Sequence, residues 1–226
     1  MSEHGSEHGS ERGPARRGRN IRVRTSRMEA FSDGVFSIAI TLLVLDLAIP
    51  DVAAGKVGPA LANEWPIFLA YVVSFASIGA TWLNHTTITE YLDRADSILL
   101  RLNLLVLFFV SLLPFPTHLV ANYIHSEAAE RIGVTIYGIN LLAISAFTSI
   151  LWHYAVSEGL VGRDKEDEDV RALTAKLNPG LISYAVGIGI GLLAPRVAVT
   201  LYLVIALFVL IPFRAILRWI RRPRGR

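Results

Sequence analysis

The chain has 226 residues, 53% of them hydrophobic, with no cysteine and a formal net charge of +3. A mean hydropathy of +0.47 excludes an ordinary soluble domain of this length, and the missing cysteines exclude disulfides, Cys-ligated zinc, thiol catalysis and Fe–S clusters. In so apolar a chain the basic balance reads as a topology determinant, not as a nucleic-acid footprint, and no nucleic-acid partner is expected.

Residues 1–24 form a polar, basic tail in which SEHG occurs twice and SERG once. Its composition predicts a disordered cytoplasmic segment. His4 and His8 have no rigid frame for a metal, so no metal site is assigned. The first predicted helix covers 28–49 and ends at Pro50; a run of that length spans about 33 Å at 1.5 Å per residue, enough to cross a bilayer. A loop follows, and then a second helix over 65–90, with Pro66 suited to its first turn. The first half of that helix is apolar, while its second half, TWLNHTTITEY, is polar. The third predicted helix, 99–121, carries Pro114 and Pro116 and is expected to kink or break. The fourth covers 131–156. After the charged stretch GRDKEDEDVRALTAK, Asn178–Pro179 is read as opening a fifth helix that ends at Pro195. The sixth covers 197–220, and residues 221–226 are a basic cytoplasmic end.

This pattern gives an all-α, polytopic membrane protein with six crossings, its transmembrane domain spanning 25–220. Charge supports the count. With the N-terminus inside, 19 of the 22 Lys and Arg residues fall in cytoplasmic segments, and only Lys56, Arg131 and Arg196 fall outside. That asymmetry favours an even number of helices with both termini in the cytoplasm. Gly187, Gly189 and Gly191 have no preceding strand and read as close helix packing, not as a nucleotide loop.

Enzyme readings find no support: HExxH, GxSxG and P-loop motifs are absent. The polar residues that enter the membrane carry the chemistry. They are Ser32, Asp33, Ser37 and Thr41 on the first helix and Asn84, His85, Thr86 and Thr87 on the second, with Asn103 and Asn140 isolated on the third and fourth. Antiparallel entry puts Asp33 and His85 at one depth, which predicts a hydrogen-bonded cluster between the two helices. On a helical wheel, Phe31, Gly34, Thr41, Leu42, Leu45 and Ile49 fall within about 60° of Ile38, whereas Asp33 lies about 140° away. The Ile38, Leu42 and Leu45 stripe is compatible with ordinary helix packing as well as with an ion path. The Thr41 hydroxyl is compatible with bonding to a carbonyl one turn back.

The sequence Arg27-x-x-x-Phe31-Ser32-Asp33 at the start of the first helix, with Trp82-x-Asn84-His85 on the second, resembles the R-x-x-x-F-S-D signature of the transmembrane protein 175 family. The resemblance covers about residues 24–220. It implies a potassium-permeable, leak-type channel without a TVGYG filter, built as a homotetramer of six-helix subunits with the first helix lining the pore. It implies that Ile38, Leu42 and Leu45 form a hydrophobic constriction and that Thr41 supplies a hydroxyl layer tied to potassium preference. Arg27, Phe31, Ser32, Asp33, Trp82, Asn84 and His85 then form the motif and interhelical network, and Asp46 stands near the pore mouth. The expected partners are further copies of the chain, the lipid bilayer and potassium ions. No cofactor is expected beyond the permeant ion, and the expected location is the plasma membrane. The alternative is a proton-conducting pathway or cation secondary transporter that relays protons through Asp33 and His85.

Overall fold

The computed structural model describes residues 25–47, 54–123, 126–162 and 166–211. The N-terminal tail, the basic C-terminal end and residues 163–165 of the charged stretch lie outside them. Eight helices occur among the described residues: α1 (Thr25–Leu42), α2 (Val57–Asn63), α3 (Trp65–Tyr91), α4 (Ser97–Leu112), α5 (Pro114–Tyr123), α6 (Glu127–Ser157), α7 (Asp167–Leu193) and α8 (Pro195–Leu210). Five segments are long and apolar enough to cross a membrane, with α4 and α5 counted as one, and α8 is a shorter apolar helix.

Three local outcomes differ from the pattern read off the sequence, and a fourth, at Pro114, follows it. The first helix tightens into a 3-10 turn over Leu43–Asp46 instead of running as an α-helix to residue 49. The loop after it contains the short helix α2, which buries no side chain. The third segment is interrupted at Leu113, between Leu112 and Pro114, in keeping with the kink or break expected of its prolines. Proline has no N–H to give the Val110 carbonyl, so Leu113 N–H bonds there at 3.2 Å. Finally, Pro179 does not open its helix. α7 already begins at Asp167, where Asp167, Glu168 and Asp169 complement the positive end of the helix dipole. Leu173 and Leu177 bury against the core, and Trp152 Nε1 donates to Thr174 Oγ1 at 2.8 Å. Those contacts hold the extra turns in place.

α6 is the central post, packing against α4, α5, α7 and α8. Trp152, Tyr202, Leu151, Val110 and Leu113 are fully or almost fully enclosed around it. α3 meets α8 through a seam of small residues, Ala76 and Ala80 against Ala206, which lets the two backbones approach closely. α1 stands apart from this bundle and rests on α3 and α4.

The two loops at one end of the bundle are zipped together. Leu92 and Val161 form an isolated antiparallel bridge, Asp93 N–H donates to Leu160 O and Gly162 N–H to Tyr91 O, both at 3.0 Å. Arg94 reaches Gly159 O at 2.9 Å. Gly159 takes a positive φ of 60°, which suits a residue without Cβ. Asp96 caps α4 by accepting from Ile98 N–H and Leu99 N–H, and it also accepts from Tyr154 O–H at 2.6 Å. This frame fixes α4 relative to α6, and α4 in turn carries α1.

Candidate site on the first helix

α1 has two faces. Met28, Ser32, Phe36, Ala39 and, one turn on, Leu43 are buried against the bundle. Phe31, Gly34, Ile38, Thr41, Leu42 and Leu45 are exposed on the single subunit, Ile38 at 61% and Leu45 at 73%. In a membrane helix packed on one side only, apolar side chains this open meet lipid or another copy of the chain. The Thr41 hydroxyl donates to Ile38 O at 2.9 Å, so its lone pairs stay available on the exposed face. The Asp46 side chain lies outside the described residues.

The polar residues at the start of α1 divide into two groups. Ser32 is fully buried and donates to Met28 O at 2.8 Å. Its oxygen accepts from Asn103 Nδ2 at 3.0 Å, and Asn103 Oδ1 faces His85 Nε2 at 2.7 Å. An amide oxygen only accepts, so His85 must donate from Nε2. The donors therefore all point one way, from His85 on α3 through Asn103 on α4 to Ser32 and the α1 backbone. His85 also packs against the Phe36 ring, with centroids 5.4 Å apart. Asp33 belongs to the second group. It is exposed and accepts from Trp82 Nε1 at 2.8 Å, a tie between α1 and α3 on the outer surface of the subunit. No hydrogen bond joins Asp33 to His85 among the described residues, so the predicted direct cluster of these two is replaced by separate ties through Trp82 and Asn103. Arg27 and Phe31 are exposed, and Asn84 is half-buried.

The sequence treated Asn103 and Asn140 as isolated, and the structure corrects both. Asn103 is 2% exposed and is the bridge of the buried chain. Asn140 donates from Nδ2 to Phe109 O on α4 at 3.0 Å. Sequence reasoning also missed a hydroxyl cluster deep in the bundle. There Ser74 on α3 contacts Thr117 on α5 at 2.7 Å and donates to Tyr137 on α6 at 3.2 Å, while Tyr137 reaches Ser77 at 3.3 Å. The available signal was the cost of a lone amide or hydroxyl in an apolar span, which calls for a partner. Which partner it finds depends on which helices become neighbours. Among the described residues no group of three or more His, Asp or Glu side chains is arranged to hold a metal ion.

Residues 27–114, from Arg27 through α4 to Pro114, match the family model described as endosomal/lysosomal potassium channel TMEM175. A potassium channel of Streptomyces collinus is 35% identical over 186 residues, covering 81% of this chain and 90% of that protein. A potassium channel of Chamaesiphon minutus is 37% identical over 191 residues, 81% of this chain and 92% of its own length. A crystal structure of a lysosomal potassium-selective channel TMEM175 homolog from Chamaesiphon minutus aligns with a TM-score of 0.74 at 34% identity, covering 82% of this chain and 95% of that one. The endosomal/lysosomal proton channel TMEM175 of Gallus gallus is 34% identical over 139 residues, which is 58% of this chain and 27% of that longer protein.

Proposed function

The chain belongs to the TMEM175 family, a family of ion channels and not of enzymes, and on that premise we propose that it is a potassium channel whose conducting path is lined by α1. It is a multi-pass membrane protein. Four copies surround one axis. Each contributes six crossings, with both termini on the cytoplasmic side of the plasma membrane and the α4–α5 pair and α8 each counted as a crossing. The observation that carries the reading is the one-sided burial of α1: Ile38, Thr41, Leu42 and Leu45 are exposed on the subunit while the opposite face is enclosed.

The chemistry follows from those side chains. Rings of Ile38, Leu42 and Leu45 make an apolar throat that blocks ions by dewetting when narrow. A small dilation hydrates it. Thr41 hydroxyls then replace part of the water shell of a passing cation, and potassium gives up that shell more readily than sodium does. Asp46 at the outer end concentrates cations. Arg27, Phe31, Ser32, Asp33, Trp82, Asn84 and His85 serve the packing of α1 against its neighbours and do not lie on the ion path. The test is potassium flux from liposomes that contain the purified chain, without added ionophore. Flux that runs down the potassium gradient and does not saturate is expected. Absence of flux across a range of voltage and pH would remove the channel reading. Saturable flux coupled to protons, abolished by His85→Ala, would favour the relay through Asp33 and His85.

A further inference from the structure

The third membrane segment has a defect that a side chain from another helix repairs. In a continuous α-helix, Pro114 N–H would serve Val110 O and Leu113 N–H would serve Phe109 O. Proline has no N–H, and Leu113 N–H has moved to Val110 O at 3.2 Å. The Phe109 carbonyl therefore loses its helical donor. Inside a bilayer no water replaces it, and an unsatisfied carbonyl there is costly. Asn140, 4% exposed on α6, supplies the missing N–H from Nδ2 at 3.0 Å. Its own Oδ1 is buried with no partner in the structure. A half-satisfied buried amide is a poor choice for static packing, where an aliphatic side chain would serve better. The amide is explained by the carbonyl it donates to.

The repair lies in line with the pore helix. Asn103, six residues before Phe109 on α4, holds Ser32 of α1. Phe108, Leu104, Leu107 and Ser111 of α4 line one groove with Phe31, Ile38 and Leu42 of α1. α4 is thus bonded to the central post at one asparagine and to α1 at another, with a break in the segment just beyond Phe109.

We propose that Asn140 is a positioning residue for conduction: by donating to Phe109 O it sets how α4 leaves the break at Pro114, and through Asn103–Ser32 it sets the position of α1. The role rests on the reading of α1 as the pore helix.

The break itself supplies the test. Pro114→Ala restores a backbone N–H at residue 114, which lets Val110 and Phe109 regain their helical donors and makes the Asn140 amide dispensable. The full chain is reconstituted in planar bilayers as four proteins: unaltered, Asn140→Leu, Pro114→Ala, and both together. Asn140→Leu is expected to change potassium open probability by about fivefold or more, the worth of roughly one hydrogen bond in a two-state equilibrium, with the potassium/sodium reversal potential unchanged. In the Pro114→Ala background the same substitution is expected to change it by less than about twofold. Equal effects in the two backgrounds, no effect in either, or a shifted reversal potential overturn the proposal. If Asn140→Leu alone does not assemble, recovery of assembled protein by Pro114→Ala supports the proposal and failure to recover overturns it. Current from the unaltered chain keeps the two questions apart, because its absence counts against the channel reading itself. The melting temperatures of the same four proteins then decide the Asn140–Pro114 coupling without any current.

Discussion

At the scale of single residues, the decisive contrast is between Ser32 and Asp33, neighbours in sequence with opposite surroundings. One helical step of about 100° moves the side chain from the enclosed arc of α1 to its edge. Ser32 becomes the end of a buried hydrogen-bond chain, and Asp33 stays at the surface with the Trp82 indole. Removing the middle of that chain costs most, because the His85 Nε2–H then loses its acceptor and the Ser32 oxygen loses its donor. Asn103→Leu is expected to lower stability by about 1–3 kcal/mol, read as a fall in melting temperature of the detergent-solubilised protein. Ser32→Ala is expected to cost less, since it strands only the Asn103 Nδ2 donor, the serine hydroxyl itself donating within its own helix. Thr41→Ala leaves packing untouched on an exposed face. If Thr41 meets the ion, its loss shifts the reversal potential in mixed potassium and sodium toward equal permeability; an unchanged value takes Thr41 out of the selectivity step.

At the scale of elements, glycines that look alike in sequence have different jobs. In VGIGIG, a methyl group added at Gly187 would come within 2.5 Å of the Tyr202 ring, while at Gly189 nothing lies within 4 Å. Gly138 on α6 meets the same tyrosine at its hydroxyl, which closes the position to a side chain. Tyr202 is fully buried, so it has nowhere to retreat. Gly138→Ala and Gly187→Ala are each expected to destabilise the bundle by about 1–3 kcal/mol through overpacking. Gly189→Ala is expected to be neutral or to gain up to about 1 kcal/mol from helix propensity. Parallel thermal melts of the three variants check the ranking. The helix ends follow the same logic. Pro114 broke its segment because the chain there had another donor to offer, whereas Pro179 was absorbed into α7 because burial of Leu173 and Leu177 extends the helix on its near side. A proline announces a missing N–H. It does not announce what the neighbours do about it.

At the scale of the whole molecule, the charge asymmetry predicts an orientation that can be read directly. The chain has no cysteine, so single cysteines give labelling without background. Lys56 and Ser157 are both exposed, and they lie on opposite sides in a six-crossing arrangement with both termini inside. Lys56→Cys is expected to react with a membrane-impermeant thiol reagent added outside cells, and Ser157→Cys only after permeabilisation. Labelling of both from one side would refute the arrangement. The ion pair of Arg196 with the buried Glu130, at 3.4 Å, ties the turn between α7 and α8 to the start of α6 at the end assigned to the outside. The zipped loops around Asp96 hold the other end.

The sequence by itself determined the class. Long apolar runs, the positions of arginine and lysine, and the spacing of Arg27, Phe31, Ser32 and Asp33 were enough for a helical membrane channel of this family, because hydropathy and charge act on each segment independently of its neighbours. The faces of α1 were legible as well, since a period of 3.6 residues is local. Only the tertiary structure decided which lone polar residues meet. Asn103 finds Ser32 and His85, Asn140 finds the carbonyl that Pro114 orphaned, and Asp33 finds Trp82 and not His85. Each of these pairings depends on the rotation and depth of two helices packed against one another, which is set by the sum of all their contacts and by no short stretch of the chain.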